Sequence, residues 1–309
     1  MRVVVTGSDG FVGGWMVREL LQAGHQVVGA VGMGAGPPAL LSEAERLRVR
    51  WVDFDLLSVE SVNGLARLGA EAVIHLAAVA SGTEARQDPG HAWAVNAAGS
   101  ARLAEALGRD PLLLLISTGE VYGQGQGRPS VESDAVLPGS PYAASKLGAE
   151  IAVAEVSRRT GLRSVIVRAF PHTGPGQRDK YVVPALAQRI RTAKRIGAPV
   201  IKTGNLDPVR DLLDVRDVVA AYRALLVAGQ PGAIYNVAGG HGVSLRQVAN
   251  RLMDTVGHRV IVESDSQLAR PNDLAYLVGD PGRLVRDTGW KPSISLEQTL
   301  KDLLDAQAD

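Results

Sequence analysis

Arg2-Val3-Val4-Val5-Thr6 is a short β-branched run that passes directly into Gly7-Ser8-Asp9-Gly10-Phe11-Val12-Gly13-Gly14, and an amphipathic stretch, Trp15 to Ala23, follows. The order is strand, glycine turn, helix, and no other feature constrains the fold of the 309 residues as much. Further strand-like runs lie at Gln26 to Val31, Arg50 to Phe54, Ala72 to Leu76, Leu112 to Ser117 and Ser164 to Arg168, with helical patterns between most of them. That alternation predicts an α/β protein with a parallel, doubly wound sheet.

Glycines let the backbone come close to a pyrophosphate, and a helix N-terminus offers unpaired N–H groups and a positive dipole end to its charge. The spacing here is Gly-x-x-Gly-x-x-Gly rather than Gly-x-Gly-x-x-Gly, and a glycine cluster can be only a turn. Its place after the first strand favours phosphate binding, with a dinucleotide as the natural ligand. Ligands of such sheets sit outside the carboxyl ends of the strands, which draws attention to Asp55-Leu56, Ala77-Ala78-Val79 and Ser117-Thr118-Gly119-Glu120. Asp55 reads equally as a group facing an adenine and as a helix cap.

The run Ser140-Pro141-Tyr142-Ala143-Ala144-Ser145-Lys146 carries chemistry. Ser140 suits an N-cap and Pro141 the first helical position, so Tyr142 and Lys146 fall one turn apart on one helix face. A lysine ammonium beside a phenol favours phenolate, which would let Tyr142 give or take a proton near neutral pH. A solvated surface pair is the bland alternative.

A net charge of +1 gives no electrostatic case for nucleic acid or an anionic membrane. There is no cysteine, and the six histidines show no zinc-site spacing, so no metal site is expected. The longest apolar runs have strand length, which predicts a soluble cytoplasmic protein. After Phe170 the residues Pro171, Gly174, Pro175 and Gly176 interrupt the alternation, and a smaller region built of discontinuous pieces is expected to begin there. Its loops carry Arg178, Lys202, Arg210 and Arg270, which suits a phosphorylated substrate, although each alone also reads as a solvated cation.

Thr6-Gly7-x-x-Gly10-Phe11-Val12-Gly13, Leu76-Ala77-Ala78, Asn96, Ser117-Thr118-x-Glu120-Val121-Tyr122-Gly123 and Tyr142-x-x-x-Lys146 occur in an order that resembles the extended short-chain dehydrogenase/reductases. The later segments are His172-Thr173-Gly174-Pro175-Gly176-Gln177, Gly204 to Asp211, Arg270-Pro271-x-Asp273 and Gly289-Trp290-Lys291-Pro292. They look most like the branch of GDP-mannose 4,6-dehydratases and GDP-4-keto-6-deoxy-mannose reductases. The resemblance implies a Rossmann-type NAD(P) domain over 1–167 plus about 207–232, and a nucleotide-sugar domain over 168–206 and 233–309. The catalytic group would be Thr118, Glu120, Tyr142 and Lys146, with Lys146 lowering the Tyr142 pKa. Gly7, Asp9, Gly10, Phe11, Val12, Gly13, Asp55, Leu56, Leu76, Ala77, Ala78 and Asn96 would join Tyr142 and Lys146 around the cofactor. Ser81, Thr118, Glu120, His172, Gln177, Lys202, Asn205, Arg210, Arg270 and Asp273 would hold the sugar nucleotide, Asp273 standing where Glu is more usual.

A 4,6-dehydratase needs an Asp or Ser between Thr118 and Glu120, and Gly119 cannot be that group, which places reductase ahead of dehydratase. Pro171 stands where relatives usually have a substrate-contacting Asn. Val31-Gly32-Met33-Gly34 offers neither an Asp for an NAD ribose nor an Arg for the 2′-phosphate of NADP, which leans toward NADP or dual use. A 4-epimerase and a non-catalytic NAD(P)-binding regulator are the remaining alternatives. The family also implies a homodimer built on the helix after Asn96 and the one starting at Tyr142.

Overall fold

The computed structural model describes residues 1–268 and 273–307. Seven strands, β1 (Arg2–Thr6), β2 (Gln26–Val31), β3 (Val49–Asp53), β4 (Ala72–His75), β5 (Leu112–Thr118), β6 (Arg163–Ala169) and β7 (Ile234–Val237), form one sheet in the order β3-β2-β1-β4-β5-β6-β7. All pairings are parallel. The order reverses between β1 and β4, the place where a doubly wound sheet opens a crevice at its carboxyl edge. The α/β class expected from the alternation is therefore met.

Alternate residues of the strands feed two cores. Val3, Val5, Ile74, Leu114 and Val167 pack on one face against Met16, Val17 and Leu20 of the Phe11–Gln22 helix and Val218, Tyr222 and Leu225 of the Val215–Ala228 helix. Val4, Val28, Leu113 and Leu115 pack on the other against Leu103 and Leu107 of the Ser100–Leu107 helix and Ala149, Val153 and Val156 of the Pro141–Thr160 helix. Covered on both faces, β5 is buried along its whole length and reads as an uninterrupted apolar run.

A further core joins Leu186 and Ile190 of the Val182–Ile196 helix to Val248 and Leu252 of the Leu245–Val256 helix and Leu300 and Leu303 of the Leu296–Ala306 helix. Residues 233–309 are expected to belong wholly to the smaller region, yet Ile234–Val237 returns to the large sheet as β7, paired to β6. Its first partner is 68 positions back in register, Ile234 opposite Ile166, and such a long-range pairing leaves no local pattern.

Candidate active site

The carboxyl ends of β1 to β6 open into a cleft of about 1240 Å³, larger than a pocket for one drug-sized ligand. Its floor is the glycine turn. Gly7 has φ +68°, and a Cβ there would lie 2.8 Å from the Ala77 backbone nitrogen; a Cβ on Gly13 would lie 2.1 Å from the Gly7 carbonyl oxygen. Only glycine lets the turn fold back onto the start of its helix. Gly10 caps that helix without a side-chain hydrogen bond, and no acidic residue occupies the first turn. The helix end thus presents N–H groups and partial positive charge to the cleft, a donor set that fits a diphosphate. Ser8 Oγ donates to the Ala30 carbonyl (3.0 Å) and the Gly32 N–H donates to Asp9 Oδ1 (3.2 Å), which ties the turn to the end of β2.

Tyr142 and Lys146 enter from the Pro141–Thr160 helix, whose start is fixed as expected: Ser140 Oγ accepts the Ala143 N–H at 3.1 Å, and Pro141 follows it. Both side chains line the cleft, and the Tyr142 phenol hydrogen-bonds the Thr118 side chain at the end of β5. Burial, and after it the charge of Glu120, drive the Tyr142 pKa upward against the opposing Thr118 hydrogen bond. The downward shift expected from a neighbouring Lys146 is not found, and the desolvation that dominates instead depends on packing that spacing does not report. Burial brings the Lys146 ammonium down to about 8, opposed by the Glu150 carboxylate.

Glu150 anchors a buried network behind the site. Arg168 donates to Glu150 through Nε and Nη2, the closest contact being 2.8 Å, and the Ser117 hydroxyl donates to the same carboxylate. The Arg168 guanidinium also lies 4.8 Å above the Tyr122 ring. His75 belongs to a second network. Thr6 Oγ1 accepts the Ala77 N–H, so its own O–H donates to His75 Nδ1 at 2.8 Å, and Nε2–H faces Ser100 Oγ at 3.1 Å. Burial, assisted by the Lys146 charge, holds this imidazole neutral with a pKa of about 3. Through these two hydrogen bonds His75 ties β4 to β1 and to the Ser100–Leu107 helix.

Most of the residues implied by sequence converge on the cleft: Gly7, Asp9, Gly10, Phe11, Val12, Gly13, Asp55, Leu56, Leu76, Ala77, Ala78, Ser81, Thr118, Glu120, Tyr142, Lys146, His172, Gln177, Arg210 and Asp273 all line it. Asp55 does so while Oδ1 accepts the Leu57 N–H, so facing the cleft and capping the local turn coexist. The Phe11 and His172 rings stack at 6.5 Å, joining the glycine turn to the loop after β6. Arg210 is held against Asp273 at 2.7 Å.

Three expectations need correction. Asn96 is buried away from the cleft in the π-helical turn Ala94–Gly99; its amide clamps both backbone groups of Val79 and donates to Ser145 Oγ, so it braces the cleft wall. Lys202 lies in the Val200–Thr203 strand paired with Ile261–Ser264, and Asn205 caps a turn at the Asp207 N–H; neither lines the cleft, because the smaller core faces them elsewhere. Arg270 lies outside the described residues. Among the described residues, no group of three or more His, Asp or Glu is arranged to hold a metal ion, and no helix is long and apolar enough to cross a membrane. Sequence reasoning missed Lys180, which lines the cleft and reaches Glu84 at 3.1 Å across its mouth. Loop residues carry no periodic signal, and Arg178, singled out instead, does not line the cleft.

The NAD dependent epimerase/dehydratase family matches residues 3–238. The chain belongs to this family. It is 35% identical to the GDP-6-deoxy-D-mannose reductase of Pseudomonas aeruginosa across 98% of this chain and 96% of that protein. Among solved structures it is similar to RMD from Pseudomonas aeruginosa complexed with NADPH, at TM-score 0.83 and 32% identity, covering 99% of this chain and 98% of the other. It is also similar to the Thermus thermophilus UDP-glucose 4-epimerase complex with NAD, at TM-score 0.87 and 30% identity with the same coverage. This epimerase/dehydratase member is an NAD(P)-dependent enzyme of nucleotide-sugar chemistry, as the resemblance implied.

Gly119, at the centre of the Thr118-Gly119-Glu120 triplet, is packed rather than open. A Cβ added there would lie 2.9 Å from the Phe170 ring. Gly119→Ala should cost about 1–3 kcal/mol by overpacking. Urea denaturation reads this as a lowered midpoint at constant slope, and an unchanged midpoint would mean that Phe170 moves freely.

Proposed function

We propose that the protein reduces the C4 keto group of a GDP-4-keto-6-deoxy-hexose with NAD(P)H, giving GDP-D-rhamnose or its C4 epimer. The observation that carries this reading is Gly119 under Phe170. A 4,6-dehydratase uses an Asp or Ser at this position to help expel the C6 hydroxyl, and here there is neither, with the Phe170 ring 2.9 Å from where a Cβ would lie. The similarity to a GDP-6-deoxy-D-mannose reductase supports the same choice.

Bound in the cleft, NAD(P)H supplies the hydride. Thr118 and Tyr142 share a hydrogen bond, so a carbonyl oxygen entering between them receives both hydroxyls, and Tyr142 gives its proton to that oxygen as charge develops there. The upward shift of the phenol keeps it protonated at neutral pH, the state a proton donor requires. Lys146, which lines the cleft on the same helix as Tyr142, would hold the nicotinamide ribose and lend its positive charge to the site. Arg210, held by Asp273, is assigned to the nucleotide diphosphate, with positioning supplying much of the rate. In this reading the seven-stranded sheet carries the dinucleotide, the smaller core carries the sugar nucleotide, and the Ser100–Leu107 and Pro141–Thr160 helices pair two subunits.

Because kcat/KM reports groups of the free enzyme, it should fall as pH rises through about 8, where Lys146 loses its proton while Tyr142 keeps its own. A pH–rate profile that stays flat well above that value would contradict the role of the ammonium.

Incubation with GDP-4-keto-6-deoxy-D-mannose and NADH or NADPH tests the assignment, read as loss of reduced-nicotinamide absorbance, with GDP-mannose and UDP-glucose in parallel. Oxidation with the keto sugar alone supports it. A 4-keto product from GDP-mannose, or UDP-galactose from UDP-glucose without net oxidation, would replace it with dehydratase or 4-epimerase.

A further inference from the structure

In a doubly wound dinucleotide site the adenosine ribose 2′ position lies at the end of the second strand. Here β2 ends at Val31, and the next residue, Gly32, has no side chain to offer. The polar group at that point comes instead from the glycine turn. Asp9 Oδ1 accepts the Gly32 N–H at 3.2 Å, and Asp9 Oδ2 lies 3.9 Å from where a Gly32 Cβ would be, so the carboxylate lies over the first residue beyond β2.

We infer that Asp9 is the residue that selects the cofactor, favouring NAD(H) over NADP(H); this rests on the reading of the cleft as a dinucleotide site. A ribose 2′-hydroxyl can donate to a carboxylate that still has lone pairs after accepting one N–H. A 2′-phosphate meets a like charge there instead. It also loses a donor, because the Gly32 N–H is already engaged by Asp9.

Among the described residues the Lys and Arg side chains lining the cleft are Arg86, Lys146, Lys180 and Arg210. Arg86 belongs to the short helix after β4, and none of the four comes from β2 or from the segment that follows it, whose cleft-lining residues are Val31, Gly32 and Met33. Asp55, which lines the cleft just beyond β3 on the other side of β2, adds a second negative charge.

Titration calorimetry of the purified protein with NADH and with NADPH tests this without any sugar substrate. NADH should bind at least ~10-fold more tightly. Asp9→Asn keeps an acceptor for the Gly32 N–H while removing the charge, so it should narrow the ratio mainly by strengthening NADPH. Raising the salt concentration should narrow it more in the wild type than in the variant, which keeps only Asp55. Equal or tighter binding of NADPH by the wild type overturns the inference, as does a ratio unchanged in Asp9→Asn. Binding of neither nucleotide overturns it together with the dinucleotide reading, whereas NADH binding without keto-sugar reduction leaves Asp9 selective and removes only the assigned reaction.

Discussion

Tyr142→Phe should lower the rate of keto-sugar reduction by ~10²–10⁴-fold, the usual contribution of a positioned proton donor. The substitution removes one hydroxyl from a half-buried ring, and its Thr118 partner still accepts the Glu120 N–H. The fold and the affinity for reduced nicotinamide should therefore survive, and the loss should appear in kcat rather than KM. Stopped-flow oxidation of the bound nucleotide, with calorimetric binding as a control, separates the two. A variant that keeps its rate within about threefold would remove Tyr142 from the chemistry, because a general acid contributes far more than that.

Glu150→Ala should be the most destabilising single change, at about 3–5 kcal/mol, because it leaves the buried Arg168 guanidinium without its carboxylate. The pair is only 5% and 4% exposed, so water cannot replace the missing partner. The Ser117 hydroxyl loses its acceptor in the same step. A functional consequence accompanies the structural one, since Glu150 is the group that holds the Lys146 pKa up against burial. Without it the ammonium should lose its proton at still lower pH and the reductive pH profile should shift to the acid side. Glu150→Gln, which retains an acceptor for Ser117, should recover part of the stability but not the pH profile. Denaturation midpoints within about 1 kcal/mol of wild type for Glu150→Ala would show that the network relaxes without its acid, contrary to the cost expected of a broken buried pair.

Local features of this chain were legible in its sequence. The β-branched run before Gly7 and the Ser140-Pro141 helix start each act through neighbours in the chain, and each occupies its expected place. What stayed hidden depends on distant parts of the fold. The upward shift of Tyr142 comes from burial and from Glu120, in the turn Gly119–Tyr122 that follows β5, and the return of Ile234–Val237 to the sheet is set by β6. Asn96 has the composition of a polar ligand and the position of a brace, because Val79 and Ser145 close around its amide. Lys202 and Lys180 are both loop-region cations in sequence, and only the packing of the smaller core decides that Lys180 reaches the cleft and Lys202 does not.

Hydride transfer to the sugar C4 is tested most directly by reduction of GDP-4-keto-6-deoxy-D-mannose with nicotinamide cofactor deuterated at C4 on the transferred face, followed by mass and NMR analysis of the sugar. The product should carry a single deuterium at C4, with one nicotinamide oxidised per sugar and no label in the product of Tyr142→Phe over the same time. Solvent hydrogen at C5 with no net oxidation of the cofactor, or C4 inversion of a UDP-sugar with the label retained on the enzyme, would contradict it.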